Sequence, residues 1–306
     1  MQRPERMILV TGAPRGGTTP VGDLLSRLPR ARMVYEPMGP NGDLSVPHSF
    51  AFPQEPEFEL GAFVDRLMGR KLRMGQAKRR ASNSAKMALV YRLLGTQAQH
   101  SYRLFRYDPF VRTLIWKDPF ATFCAEHGAA HNYQTVMTIR PPLAHAASFK
   151  RIGWTSRVAE VYLRYAKHFG PLPGFEEQVA TYGASPLGSG ALMWRLIHDR
   201  FAKMPKADRQ ALYLLDMEAL GADEVSGYDE VFDWLGVKMP ARARALIAKR
   251  AQGSAQQDAR AGQVHDFERS AKATNVAWKG MLTEEEIGIV KTITGDLWDL
   301  LPCDNR

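Results

Sequence analysis

The stretch MILVTGAPRGGTTPVGDLLSRL, residues 7–28, constrains this chain more than any other. Met7 to Val10 is a short apolar run that reads as a buried strand. Gly12 to Gly17 is glycine-rich and turns tightly. From Thr18 onward, Val21, Leu24, Leu25 and Leu28 recur at helical spacing. Strand, glycine loop and helix in this order aim free backbone N–H groups and the positive end of a helix dipole at one point, where an anion can sit. The spacing Gly12-x-x-x-x-Gly17 followed by Thr18-Thr19 nearly matches the nucleotide loop GxxxxGK[ST]. Thr18 takes the lysine's place, and the cation of the loop is Arg15. The missing lysine argues against a nucleoside triphosphate while leaving a phosphate-like group as the ligand. The plainer alternative is an ordinary turn between a strand and a helix.

The chain has 306 residues, enough for one large α/β domain or two small ones. No apolar run approaches the length of a membrane-crossing helix, and MQRPERM lacks the apolar core of a signal peptide. Cys124 and Cys303 are the only cysteines and fit no metal spacing, so a reduced, cytoplasmic setting is expected. The formal charge of +9 favours anionic ligands or an acidic surface without choosing among nucleotide, acidic glycan and nucleic acid.

Further along, residues 32–35 form a short second strand ending in Glu36-Pro37. A carboxylate just past a strand end, beside an anion loop, is where α/β proteins place chemistry, although a solvated loop glutamate has the same sequence. Residues 37–57 hold five prolines and little periodicity, a long irregular loop and a possible lid. Residues 58–106 read as helical. Within them Arg70, Lys71, Arg73, Lys78, Arg79, Arg80 and Lys86 make a basic run, either a patch for an acidic acceptor or membrane surface, or a solvated helix face. No aromatic residue interleaves these charges, which weakens a nucleic-acid reading.

Thr113 to Trp116 is a third strand, with Lys117-Asp118-Pro119-Phe120 at its end, where Asp118-Pro119 starts a turn or helix. Thr135 to Ile139 is a strand ending at Arg140, and Pro141-Pro142 opens a helix that carries Ser148. An arginine at a strand end and a serine on the adjoining helix suit a second phosphate. Helices are expected over 155–169 and 188–204, joined through a flexible connection at 183–190. A fifth strand covers Ala211 to Leu215, followed by an amphipathic helix over Tyr228 to Leu235. Residues 249–275 are polar and read as a loop. Trp278-Lys279 follows, and Thr283-Glu284-Glu285-Glu286 caps a last helix running to about Leu301.

Together these pieces resemble a sulfotransferase that uses 3′-phosphoadenosine-5′-phosphosulfate, abbreviated PAPS. GAPRGGTT resembles the family's 5′-phosphosulfate loop, usually PRSGTT, and TIRPPLAHAASF resembles its 3′-phosphate motif. LLDMEAL with YDEVFDWLGV is similar to its YEDL segment and LGL helix, and WKGMLTEEE to the segment that closes over the nucleotide. VYEPM is similar to the FEP segment of carbohydrate sulfotransferases. WKDPF is similar to the NKDPF segment of tyrosylprotein sulfotransferases. The chain departs from the pattern in four places. Gly16 stands where serine is usual, Pro142 alters the acidic-proline turn, and Asp216 replaces the YEDL tyrosine. Met38 replaces an arginine of the tyrosylprotein enzymes, which disfavours a peptide tyrosine as acceptor.

The resemblance implies a P-loop NTPase-like three-layer α/β fold, with a central parallel sheet flanked by helices, as one domain over 1–306. Residues 37–110 would be the variable, acceptor-side or lid insertion. Pro14, Arg15, Gly16, Gly17, Thr18 and Thr19 would hold the 5′-phosphosulfate. Arg140 and Ser148 would hold the 3′-phosphate, and Trp278 and Lys279 would cover the nucleotide. Lys117 would neutralise the leaving oxygen and Glu36 would act as base, with His48 as rival. PAP would be the product, and no metal is implied. The acceptor would be a small molecule or carbohydrate rather than nucleic acid, and a homo-oligomer is possible. A P-loop nucleoside or metabolite kinase is the competing class.

Overall fold

A computed structural model describes residues 2–47, 50–75, 95–254 and 270–306. It is an α/β protein with a five-stranded parallel sheet flanked by helices. The strands are β1 (Arg6–Gly12), β2 (Ala31–Tyr35), β3 (Thr113–Lys117), β4 (Gln134–Ile139) and β5 (Leu212–Asp216), in the order β2-β3-β1-β4-β5. All five lie where short apolar runs end in a charged or turn-forming residue, as expected of strands covered on both faces. The chain divides into two compact units.

The first unit comprises Met1–Gly12, Thr18–Met137 and Gln210–Leu212. β3 pairs in parallel with β1, Ile8 opposite Ile115, and with β2, Val34 opposite Trp116. The Thr18–Leu25 helix buries Val21, Leu24 and Leu25, the stripe expected from its spacing. Gly22 lets this helix approach the stem of Lys117: a Cβ there would lie 3.0 Å from Lys117 Cγ. The unit's apolar core gathers Leu9, Val34, Phe63, Phe105, Trp116 and Tyr133. From the irregular 37–57 segment, Phe50 and Phe52 are buried, and Phe52 stacks on Phe123 at 4.2 Å between ring centroids. Asp43 in the same segment accepts the Arg73 N–H and pairs with Arg66, so the loop is tied down by a buried carboxylate.

Residues 58–106 contain the helices Leu60–Met68 and Gln97–Tyr107. Of the basic run, Lys78, Arg79, Arg80 and Lys86 lie outside the described residues. Arg70 is buried rather than part of a surface patch. Its guanidinium donates to the carbonyls of Phe105 and Asp108, satisfying acceptors at the end of the Gln97–Tyr107 helix. Lys71 and Arg73 are exposed.

The second unit comprises Ala13–Gly17, Thr138–Arg209 and Tyr213–Arg306. Pro142–Ile152 forms a helix with proline in its first turn, as the sequence predicts. It packs against the Pro186–Ala202 helix, where the 183–190 expectation needs correction. Ser185 caps this helix through the Gly188 N–H, and Gly188 and Gly190 lie inside it. A Cβ on Gly190 would meet Phe149 Cγ at 2.8 Å, so glycine serves helix packing here instead of chain flexibility. A helix over Phe175–Tyr182, absent from the sequence reading, also forms. Ala241–Ser254 and Ala271–Val276 make helices at both ends of the stretch read as loop, and residues 255–269 lie outside the described residues. Thr283 and Glu286 close the expected capping box, but the last helix stops at Thr294. Gly295, at φ 54°, turns the chain into the short Leu297–Leu300 helix.

Candidate active site

Within the first unit, Glu36 and Lys117 follow directly on one another across two paired strand ends. The Glu36 N–H donates to the Lys117 carbonyl at 2.7 Å, extending the β2–β3 ladder by one bond. Lys117 Nζ donates to Glu36 Oε1 at 2.7 Å. The Lys117 side chain is only 2% exposed and that of Glu36 is 23% exposed. The ammonium also lies 4.0 Å from the centre of the Tyr35 ring, a cation–π contact. A desolvated ammonium needs such partners, so the lysine is held by the carboxylate and the ring together. Glu36 itself sits at φ 47°, in the left-handed region that non-glycine residues rarely adopt.

Asp118, next to Lys117, is fully buried. Its carboxylate accepts the Met38 N–H at 2.6 Å and the Phe120 N–H at 2.9 Å. Burial, reinforced by the nearby Glu36 charge, pushes its pKa up to about 7. The sequence reading of Asp118-Pro119 as a turn or helix start is realised: Asp118 caps a 3₁₀ segment, Pro119–His127. Thr18 and Thr19 open the Thr18–Leu25 helix and are both buried. His48, the rival base, lies outside the described residues.

Within the second unit, the loop residues Pro14 to Gly17 meet Arg140 and Ser148. Gly16 N–H donates to the Ala13 carbonyl at 2.7 Å, and a Cβ on Gly16 would lie 2.7 Å from that oxygen. A side chain at Gly16 would therefore force this tight turn to shift. Gly17 adopts φ 99° and passes against Met217. Arg15 is at φ 71°, again left-handed, and its Nε donates to Ser148 Oγ at 3.2 Å. Arg140 Nη1 donates to the Arg15 carbonyl at 3.3 Å and Nη2 to the Thr274 carbonyl at 2.5 Å. The Arg140 carbonyl accepts the Trp194 indole N–H at 2.8 Å. Two guanidinium groups and a hydroxyl thus converge beside a glycine loop, a donor set suited to an anionic oxygen group.

Trp278 and Lys279 occupy a 3₁₀ turn, Ala277–Gly280. Trp278 is half-buried and Lys279 exposed, and neither side chain makes a hydrogen bond or ring contact among the described residues. Just upstream, the Thr274 carbonyl accepts from Arg140 and Asn275 Nδ2 donates to the Met217 carbonyl at 2.5 Å.

His145 was not singled out by sequence. It is fully buried, and its ring Nε2 lies 2.7 Å from the Pro14 carbonyl. Burial holds its pKa down to about 3, so the ring is neutral and donates from Nε2 to the loop. Its position, five residues after Arg140 on the helix that carries Ser148, was the available signal. Among the described residues no group of three His, Cys, Asp or Glu side chains could hold a metal ion. No described helix is long and apolar enough to cross a membrane.

No protein-family model and no curated protein sequence matches the chain. Solved structures similar to it include several sulfotransferases. The sulfotransferase domain from the Synechococcus PCC 7002 olefin synthase is 14% identical, with 97% of each chain covered and a TM-score of 0.40. Mouse sulfotransferase SULT7A1, solved in complex with PAP, is 12% identical over 94% of this chain and 83% of its own, with a TM-score of 0.46. Sulfotransferase STF1 from Mycobacterium tuberculosis H37Rv is 17% identical over 95% of this chain and 77% of its own, with a TM-score of 0.39.

Proposed function

We propose that this protein transfers a sulfuryl group from PAPS to the hydroxyl of a carbohydrate or small metabolite, as one catalytic domain over residues 1–306. The observation that carries the reading is the convergence of Arg15, Arg140 and Ser148 on the glycine loop, with threonine in place of the triphosphate-binding lysine. A bisphosphorylated nucleotide needs two anion sites, and this chain supplies cations and hydroxyls for both. Loop N–H groups with Pro14, Arg15, Gly16, Gly17, Thr18 and Thr19 hold the 5′-phosphosulfate; Arg140 and Ser148 hold the 3′-phosphate. Trp278 and Lys279 cover the nucleotide when it binds, and the protein works in the cytoplasm. Residues 37–110 supply the acceptor side.

Sulfuryl transfer spreads negative charge over the sulfuryl oxygens and the leaving phosphate, so positioned cations dominate catalysis. Glu36 takes the proton of the acceptor hydroxyl on Oε2 while the acceptor oxygen bonds to sulfur. Lys117 neutralises the phosphate oxygen as its bond to sulfur breaks, and a sulfate ester and PAP result. As Glu36 gains the proton its hold on Lys117 weakens, which frees the ammonium for the leaving oxygen. The 2.7 Å contact between the two supports that coupling.

Titration calorimetry with PAP, AMP and ATP tests the donor. Adenosine bearing both 3′- and 5′-phosphates should bind at least about tenfold more tightly than AMP, the value of one charge-assisted contact. Equal binding of AMP, or magnesium-dependent preference for ATP, overturns the reading and favours a kinase.

A further inference from the structure

Met38 lies two residues past Glu36, and its backbone N–H is held by a group from the end of the neighbouring strand. Asp118 Oδ2 accepts that N–H at 2.6 Å and also faces the Trp116 indole N–H at 3.4 Å. Oδ1 accepts the Phe120 N–H at 2.9 Å. The Asp118 backbone is pinned as well: its N–H donates to the Val10 carbonyl at 2.9 Å, and its carbonyl accepts the Thr11 hydroxyl at 2.7 Å. A cap for the Pro119–His127 segment needs only Oδ1. Oδ2 is spent on the turn that carries Glu36.

That turn needs holding. Glu36 is a non-glycine residue at φ 47°, a conformation that persists only where neighbouring groups over-determine it. Three backbone bonds do so here. Glu36 N–H donates to the Lys117 carbonyl at 2.7 Å, Gly39 N–H to the Glu36 carbonyl at 3.0 Å, and Met38 N–H to Asp118. The first two belong to any strand end and turn; the third is a buried charge.

We propose that Asp118 is the positioning residue of the Glu36–Lys117 pair: its carboxylate anchors the Met38 amide and keeps Glu36 in the left-handed turn that sets its side chain on the Lys117 ammonium. The inference rests on Glu36 being the base, and deepens that reading by naming what aims it. The ionisable groups facing Asp118 are Glu36 from the end of β2, Lys117 from β3, and the Cys124 thiol from the 3₁₀ segment. Burial and the Glu36 charge raise the Asp118 carboxyl to about 7, against the pull of the Met38 and Phe120 N–H groups and of Lys117. Its ionisation is therefore readable near neutral pH, and protonation weakens the acceptor that Met38 uses.

The test is nuclear magnetic resonance of the full chain carrying ¹⁵N and ¹³C-carboxyl glutamate, with the Glu36 carbon assigned by its loss in Glu36→Gln. In the wild type the Met38 amide proton should lie downfield and titrate with the Asp118 midpoint, near the value of about 7 set by burial. In Asp118→Asn that titration should vanish, and at a fixed neutral pH the Glu36 carboxyl resonance should move as its contact with the Lys117 ammonium loosens. Turnover should fall about a hundredfold, the scale of a small misplacement of a reacting group, while PAP affinity holds. A Met38 amide that follows no carboxyl titration at any pH where the chain stays folded, or a Glu36 carboxyl resonance unchanged in Asp118→Asn, reduces Asp118 to a cap and overturns the proposal. If Asp118→Asn does not fold, the wild-type Met38 titration decides alone. Normal turnover in Glu36→Gln removes the base role instead, and does so whatever the Met38 and Glu36 resonances show.

Discussion

The Lys117–Glu36 pair is unevenly buried, and that asymmetry predicts which partner the fold can lose. The two charges meet at 2.7 Å, so their gross attraction at an effective dielectric of about 20 is roughly 6 kcal/mol. Bringing the lysine in from water returns several kcal/mol of that. Lys117→Met keeps the stem that packs beneath Gly22 and removes the desolvated charge. Glu36, at 23% exposure, can then turn to water. The stability change should stay within about 1 kcal/mol. Glu36→Gln does the reverse, leaving an ammonium at 2% exposure with an amide oxygen and the Tyr35 ring. After discounting for the exposed edge of Glu36, that should cost about 2–3 kcal/mol. The double variant should be less destabilised than the sum, by a coupling of about 1–2 kcal/mol. Urea unfolding of wild type, both singles and the double at neutral pH measures all four corners. Equal losses in the two singles with an additive double would refute the argument that burial of the lysine, rather than the carboxylate, sets the energetics of the pair.

Other outcomes follow from the same geometry. Arg140→Ala should weaken PAP binding about ten- to a hundredfold in calorimetry, and should erase most of the preference for PAP over AMP; losses that simply add would detach Arg140 from the 3′-phosphate. Glu36→Gln should cut turnover by roughly 10²–10⁴ with PAP affinity nearly unchanged, measured with labelled PAPS and a working acceptor. Gly16→Ser should lower PAP affinity, because its Cβ would stand 2.7 Å from the Ala13 carbonyl; tighter binding would contradict the turn geometry. Burial holds His145 down to about 3 and His198 to about 4, both below the ordinary 6.5. The unfolded chain therefore takes up protons first, and stability should fall as pH drops below about 6.5, by up to about 1.4 kcal/mol per pH unit for each histidine. His198→Phe should flatten the slope of unfolding free energy against pH, and an unchanged slope would show that the ring is not held neutral.

Periodicity and local chemistry in the sequence determined the elements near the site. All five strands stand on short, largely apolar stretches bounded by Gly12, Glu36, Lys117, Arg140 and Asp216, the pattern expected of strands covered on both faces. The helix starts at Thr18, Pro142 and Thr283 were likewise legible, since capping and the fixed φ of proline are local effects. Tertiary structure decided what those ends do. Gly188 and Gly190 looked like a hinge and became a helix face, because close packing on Phe149 outweighs glycine's local entropy. Arg70 looked like surface charge and became a buried cap for a helix 35 residues away. Asp118 and His145 carried no signal beyond their neighbours in sequence. Their roles are to bind one particular amide and one particular carbonyl, 80 and 131 residues distant. A one-dimensional pattern records which residues a strand or helix needs, whereas a buried polar group is defined by the partner that compensates its desolvation, and the fold alone chooses that partner.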